Sequence, residues 1–232
     1  MVNCRRTFGK ICAVSQLVLM ILGTTYLHDA GAQVLLAECG ELVNAYGPYD
    51  YANASDREER LKIVESYHFT SKVENLVEGQ TGALVNDLDY TLRAFPNHTR
   101  ALWAMVRYQM SSGKRWSPGD RYFPLECYFD RALRFRPNDA AVWMVYGMYF
   151  AREGNYQASI EKYERALTLQ PDSAEINYNF GLALFETKQY ARSRKLAEKA
   201  YELGYPLLGL MNMLRRAGYW GAAGESTDPS VR

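Results

Sequence analysis

The chain has 232 residues, of which 48% are hydrophobic, and 27 basic against 26 acidic residues give it a formal net charge of +1. This length and apolar content are typical of one medium-sized globular domain and argue against a chain that is disordered throughout. The balanced charge provides no basic excess for nucleic acid or anionic lipid, so we expect no nucleic-acid partner.

Residues 1–32 have the pattern of a secretory signal peptide. Basic residues at positions 5, 6 and 10 precede the apolar run ICAVSQLVLMIL, and the small residues AGA follow at 30–32. An uncleaved membrane anchor is the alternative, but the run is shorter than the roughly 20 apolar residues of a spanning helix. We therefore expect export to the periplasm or secretion, with membrane contact only through this segment if it stays uncleaved.

The cysteines predict one disulfide. Two of the four lie within residues 1–32, which leaves Cys39 and Cys127 in the exported chain. Two thiols in an exported protein favour a structural link, and closing a loop of about 90 residues is worth on the order of 4 kcal/mol in the chain-entropy model. The two cysteines lack CxxC spacing, and His68 and His98 do not lie at ligand spacing from either one. We expect no redox site, no metal and no cofactor.

Residues 33–80 predict an irregular N-terminal extension, because glycine, proline, asparagine and tyrosine recur in it without a helical period. Only SDREERLKIVES has a helical start, with Ser55 as the N-cap and acidic residues in the first turn. The Tyr-rich segment YGPYDY at 46–51 has two interpretations. It is either a buried strap over the next helices, held by Cys39 and Cys127, or an exposed contact surface.

The next predicted elements are helices that stop at prolines. Residues 82–95 form a half-unit that ends before Pro96, and a first full helix pair covers about 97–136. That pair starts 41 residues before the next one (138 − 97), which is seven more than the 34 of the later unit. The insertion 114–124, KRWSPGDRYFP, absorbs the excess between the two helices.

Residues 138–171 carry the clearest pattern, two amphipathic helices joined near Gly154. One face of each helix holds apolar or small residues at i, i+3, i+4 and i+7 spacings, namely Trp143, Tyr146, Gly147 and Phe150, then Ser159, Tyr163 and Ala166. Gly147 has no side chain, so the second helix approaches closely, and Tyr163 fills the gap beside the small residues. Pro171 ends the pair.

A second copy follows at 172–205. Gly181, Leu184, Tyr190, Ser193 and Ala200 stand 34 residues after their counterparts in the first copy. Residues 206–220 then predict a capping helix, with Leu207, Leu210, Met211 and Leu214 on one stripe, and 221–232 predict a flexible tail.

These units resemble the tetratricopeptide repeat, whose pattern is W-x2-L-G-x2-Y, small-x3-aromatic-x2-Ala and a terminal proline. Tyr146 for leucine and Ser159 for alanine are the departures. The resemblance spans about residues 82–217 and implies an all-α solenoid of antiparallel helix pairs, with an irregular N-terminal extension and a C-terminal cap. The chain is similar to exported bacterial-type members of this family.

The resemblance also implies where a partner binds. In this family, positions 2, 5, 9 and 12 of each first helix line a concave groove, which in this chain places there Arg100, Trp103, Arg107, Met144, Met148, Tyr178, Leu182 and Phe185. Aromatic, methionine and arginine side chains are typical of interaction surfaces. An alternative is that some of them, notably Trp103, belong to the core or lie under the extension. The implied function is a scaffold or assembly factor for a protein or peptide partner in the cell envelope.

A different class of function uses the insertion 114–124 with the Tyr-rich segment to bind a small ligand or to catalyse a reaction. Its features are Arg115, Trp116, Asp120 and Arg121. Against it, the sequence shows no nucleophile paired with a base, no metal-ligand cluster and no glycine-rich phosphate loop. We therefore predict no catalytic residues and no enzymatic activity.

Overall fold

The computed structural model describes residues 39–117 and 120–221, and all regular secondary structure within them is helical. The predicted signal peptide 1–32 and nearly all of the predicted tail lie outside these residues. In the part of the chain described, no helix has both the length and the apolar character needed to cross a membrane.

The helices follow one another along the chain and pack largely in pairs. They are α1 (α-helical Ala54–Asp56, π-helical Arg57–Leu61 and α-helical Lys62–His68 in succession), α2 (Ser71–Glu74), α3 (Leu84–Ala94), α4 (Thr99–Ser112), α5 (Leu125–Phe135), α6 (Ala140–Arg152), α7 (Tyr156–Leu169), α8 (Ala174–Glu186), α9 (Tyr190–Glu202) and α10 (Gly209–Arg216). Neighbouring elements pack against each other in chain order, as in a solenoid, and α4, α6 and α8 also pack side by side.

Side-chain caps set where five of these ten helices begin. Asp139 caps α6 and Ser173 caps α8, each accepting a hydrogen bond from a backbone amide of the first turn. One cap differs from the prediction, because Asn53 rather than Ser55 caps α1. The amide oxygen of Asn53, two residues earlier, accepts the first-turn amides, so α1 begins sooner. At the start of α4, the ring of His98 accepts the Ala101 amide.

The pairs α6–α7 and α8–α9 approach closely at their glycines. Gly147 faces the ring of Tyr163, which is 2% exposed. Ser159 Oγ donates to the Gly147 carbonyl at 2.8 Å, and Ser193 Oγ donates to the Gly181 carbonyl at 2.7 Å. Serine at this small position therefore adds a buried hydrogen bond between the two helices of each pair, which alanine cannot supply.

The N-terminal extension is more helical than predicted. Helix α1 packs against α3, the predicted half-unit 82–95, and α2 packs against α3 and α4. The half-unit therefore has a partner helix, and the solenoid begins at α1. The π-helical segment Arg57–Leu61 adds a residue to one turn and shifts the apolar face, so α1 lacks a steady 3.6-residue period in the sequence.

The chain before α1 is fixed onto α5. A disulfide joins Cys39 and Cys127, whose Cα atoms lie 4.9 Å apart. The Arg131 guanidinium, on a residue 3% exposed, donates to the carbonyls of Cys39 at 3.3 Å and Glu41 at 2.5 Å. Burial lowers the pKa of Arg131, with further lowering from Arg134. A buried cation needs hydrogen-bond partners, and these carbonyls of the extension provide them. The extension therefore stabilises α5.

The Tyr-rich segment lies against the end of α3. The Tyr49 amide donates to the Ala94 carbonyl at 2.8 Å, and the Tyr51 ring stacks on His98 with centroids 4.1 Å apart. A Cβ atom at Gly47, whose φ is +106°, would lie 2.5 Å from the Ala94 carbonyl oxygen, so only glycine allows this approach. The tyrosines are thus used in packing, as the strap interpretation expects.

Candidate functional site

The surface of the side-by-side helices α4, α6 and α8 contains a groove. Trp103 of α4, Met148 of α6 and Leu182 of α8 are partly exposed along it, and Tyr163 of α7 lies at its base. The volume of the groove is about 320 Å³. Three of the eight predicted partner-binding residues are therefore brought together on one surface.

Charges of opposite sign flank the apolar residues of the groove. Arg152 lies over the Trp103 ring, 5.6 Å from its centroid, and Glu186 lies on α8. Both are exposed, and neither forms an ion pair with another described residue. Their charges are available to a ligand, with the positive one beside α4 and the negative one on the third helix.

Arg100 and Arg107 are not available, because the N-terminal extension binds them. Arg100 Nε donates to Glu74 at 2.8 Å and its Nη1 donates to Glu65 at 3.2 Å, while Arg107 donates to the Glu74 backbone carbonyl at 2.5 Å. The hydrogen bond to Glu74 raises the pKa of Arg100, with further raising from the charges of Glu74 and Glu65. Contacts with the extension therefore hold both residues, although 49% of the Arg100 side chain remains exposed.

Three other predicted residues are placed elsewhere. Met144 and Tyr178 are each 7% exposed, so they support the surface from beneath instead of lining it. Tyr178 is covered by α10, whose Leu210 amide donates to the Tyr178 hydroxyl at 3.3 Å. The Phe185 ring packs against Tyr190 of α9, with centroids 5.1 Å apart. A rotation of one helical position, about 100°, separates a buried from an exposed residue. Position 5 is buried in α6 and α8, whereas the same position in α4, Trp103, lines the groove.

The sequence analysis missed Arg152 and Glu186. Each stands four residues after an apolar groove residue, Met148 or Leu182, and the two are 34 residues apart (186 − 152). An i+4 spacing continues the same helical face by one turn, so extending the apolar stripe by one turn at the repeat period is the signal that could have identified them.

Where the structure describes the insertion 114–124, its contacts are with other segments than the Tyr-rich one. Trp116 stacks on Tyr108 of α4 with centroids 6.2 Å apart, and Arg115 pairs with Glu153 at 3.0 Å. Asp120 accepts the Ser117 amide at 2.7 Å, which closes a turn. Arg121 lines a separate cavity described below. Within the described residues, no group of three or more histidine, cysteine, aspartate or glutamate side chains is arranged to hold a metal ion.

Comparison with family models identifies the repeats. Residues 148–188 match a model described as TPR repeat, and residues 174–203 match one described as tetratricopeptide repeat. Repeats of this kind are typically non-enzymatic scaffolds for protein interaction.

Among curated proteins, two versions of Superkiller protein 3 are similar to the chain. The one from Schizosaccharomyces pombe is 25% identical over 116 residues, and the one from Saccharomyces cerevisiae is 31% identical over 72 residues. These segments make up 45% and 31% of this chain but only 8% and 5% of the relatives.

Among solved structures, the chain is similar to MamA protein, with 16% identity and a TM-score of 0.47 over 70% of this chain and 85% of the other. It is also similar to PilF of Pseudomonas aeruginosa, with 17% identity and a TM-score of 0.49 over 71% and 70%.

Proposed function

We propose that this chain, whose residues 148–203 are tetratricopeptide repeats, is an exported scaffold that binds an extended segment of a partner protein in the groove of Trp103, Met148 and Leu182. The observation that carries the proposal is the alignment of these three partly exposed apolar side chains, one from each of three adjacent helices. Apolar groups held at fixed spacing by packed helices form a preformed interaction surface.

The size of the groove favours an extended segment over a helix. A volume of about 320 Å³ holds a few side chains, whereas an α-helix with its side chains is about 10–12 Å across. The extended backbone would place alternate side chains against the groove, and the intervening ones would face solvent.

The two unpaired charges favour one direction of binding. Arg152, beside Trp103, would pair with an acidic side chain, and Glu186, beyond Leu182, would pair with a basic one. The preferred ligand therefore carries apolar residues between an acidic and a basic residue.

Export is part of the same proposal. It rests on the signal-like residues 1–32 and on the Cys39–Cys127 disulfide, since disulfides persist in oxidising compartments such as the periplasm.

Peptide selection tests the groove. Random peptides are selected on the oxidised chain, and the dissociation constant of the best one is measured for Met148→Glu, Leu182→Glu and the control Thr168→Glu. Thr168 is exposed on α7. We expect both groove variants to weaken binding by about tenfold or more, equivalent to about 1.4 kcal/mol, and the control to leave it unchanged.

Reversing the charge of Arg152 or Glu186 tests which peptides the groove prefers. Both residues are exposed, so neither change alters the core. Selection on Arg152→Glu should replace the acidic residue of the enriched peptides by a basic one, and selection on Glu186→Lys should do the opposite. Peptides that bind all of these variants as tightly as the unmodified chain would show that the interaction surface lies elsewhere.

A further inference from the structure

A second cavity lies where four segments of the chain meet. They are the end of α1, one face of α3, the chain at Asn44 before the Tyr-rich segment, and the last part of the insertion, at Arg121 and Tyr122. Its volume is about 470 Å³, within the roughly 300–1,000 Å³ of small-molecule sites. None of the groove residues Trp103, Met148 and Leu182 lines it.

A buried aspartate orients a histidine at this cavity. Asp87, with 0% of its side chain exposed, accepts hydrogen bonds from the Gln80 amide at 2.7 Å, the Thr81 hydroxyl at 2.6 Å and His68 Nδ1 at 2.9 Å. Burial raises the pKa of Asp87, but the hydrogen bonds from Thr81 and His68 outweigh it and hold the pKa below its ordinary value. The ionised carboxylate only accepts, so His68 Nδ1 donates to it.

This arrangement leaves the other ring nitrogen of His68 free. Its Nε2 has no hydrogen-bond partner among the described residues, and the ring is held against Tyr90, with centroids 3.9 Å apart. The ring is thus fixed in orientation with one unused nitrogen at the cavity, as in other carboxylate–histidine pairs.

Two more polar groups at the cavity have unused hydrogen-bonding capacity. Asn86 accepts a hydrogen bond from the Tyr122 hydroxyl with its Oδ1, which leaves both hydrogens of its Nδ2 without an acceptor in the described part of the chain. Arg121 lies over the Tyr122 ring, 5.5 Å from its centroid, and no described carboxylate pairs with it.

One charged group at the cavity has no ion-pair partner among the described residues. Arg93 pairs with Asp89 at 2.9 Å, and the other oxygen of Asp89 accepts the Tyr128 hydroxyl at 2.6 Å. The buried Asp87 carboxylate is used by Gln80, Thr81 and His68, so Arg121 is left as the cation that a ligand can pair with. A ligand that pairs with Arg121 carries a negative charge. To use His68 and Asn86 as well, it also carries groups that donate and accept hydrogen bonds.

We propose that this cavity binds a small hydroxylated carboxylate, the chemical class of the sugar acids. Its carboxylate pairs with Arg121, one hydroxyl donates to His68 Nε2, and another accepts from Asn86 Nδ2. Tyr90 and Tyr122 also line the cavity and provide ring carbon atoms for the carbon skeleton to contact. This site is separate from the peptide groove and does not depend on it.

Calorimetric titration of the oxidised chain with D-glucuronate, D-glucose and acetate tests the proposal at about pH 8, above the range in which histidine usually charges. D-glucuronate has both the carboxylate and the hydroxyls, and each of the other compounds has only one of the two. We expect D-glucuronate to bind at least about tenfold more tightly than either one. Equal affinity for acetate would remove the role of the hydroxyls, and no saturable binding of D-glucuronate would overturn the proposal.

Variants connect the binding to these residues. His68→Asn keeps an N–H group that can donate to Asp87 but removes the second ring nitrogen, and Arg121→Gln changes an exposed residue without disturbing the core. Both should weaken D-glucuronate binding by about tenfold or more, while the exposed control Arg216→Gln on α10 should not. If His68→Asn lowers the midpoint temperature of thermal unfolding, the affinity of Arg121→Gln alone tests the proposal. Unchanged affinity in Arg121→Gln would mean that the His68–Asp87 pair only holds the loop after α2.

Discussion

Replacing Gly147 by alanine should destabilise the protein, although alanine is the better helix former. The added Cβ would lie 3.0 Å from Cδ1 and Cε1 of Tyr163, closer than nearly all Cβ contacts. The Tyr163 ring cannot move aside, because it is 2% exposed and stacks on Phe180 with centroids 5.7 Å apart. Helices α6 and α7 must therefore separate, which also stretches the 2.8 Å bond from Ser159 to the Gly147 carbonyl.

Contributions of opposite sign to the free energy of unfolding decide whether Gly147→Ala is stabilising or destabilising. Alanine gains about 1 kcal/mol in helix propensity. Overpacking a core contact costs about 1–3 kcal/mol, and weakening the buried hydrogen bond costs up to about 1 kcal/mol. The net cost is therefore about 0–3 kcal/mol, and the free energy of unfolding of Gly147→Ala should fall by about 1.5 kcal/mol, which shifts the urea midpoint by roughly 0.75 M for an m-value near 2 kcal/mol/M.

Urea unfolding of the oxidised chain, followed by circular dichroism, measures this difference. Tyr163→Leu is the matched background, since it removes the ring that Cβ would meet. In that background Gly147→Ala should be neutral or stabilising, so the double-mutant cycle should give a coupling of at least about 1 kcal/mol. A Gly147→Ala variant as stable as the unmodified chain would refute the close-approach argument.

Two further predictions concern stability. The Cys39–Cys127 disulfide closes 88 residues, so Cys39→Ser with Cys127→Ser should lower the free energy of unfolding by as much as about 4–5 kcal/mol in the chain-entropy model, and dithiothreitol should lower the urea midpoint of the unmodified chain only. Burial holds the pKa of His98 below 6.5, despite the hydrogen bond to Glu65 that raises it, so the unfolded chain takes up the proton first. Stability should therefore fall as the pH decreases from about 6.5, by up to about 1.4 kcal/mol per pH unit, and this slope should be shallower in His98→Gln; identical slopes would contradict the assignment.

The repeat region could be predicted because its information is local. Apolar spacing and the terminal prolines depend on neighbours within one or two helical turns, and the 34-residue shift only repeats these local patterns. The pairs α6–α7 and α8–α9 lie within the ranges 138–171 and 172–205. The start of the solenoid could not be predicted in the same way. Helix α1 pairs with α3 across residues 69–83, and its π-helical segment interrupts the apolar period.

The groove was predicted in part. Trp103, Met148 and Leu182 are partly exposed as expected, but Met144 and Tyr178 are buried. Which side of a first helix stays exposed depends on what covers it, and α10 covers Tyr178 while α2 holds Arg107. Neither contact can be predicted from the spacing of apolar residues in the helix that it covers.

The sequence by itself determined the all-helical class and the repeat register, because each follows from periodic side chains within a short stretch of chain. Only the tertiary structure decided what lies at the ends and in the gaps of the solenoid. Contacts between segments far apart in sequence removed Arg100 from the groove and placed Arg121 beside His68. Such contacts depend on packing in three dimensions. The helical periodicity of the sequence carries no information about them.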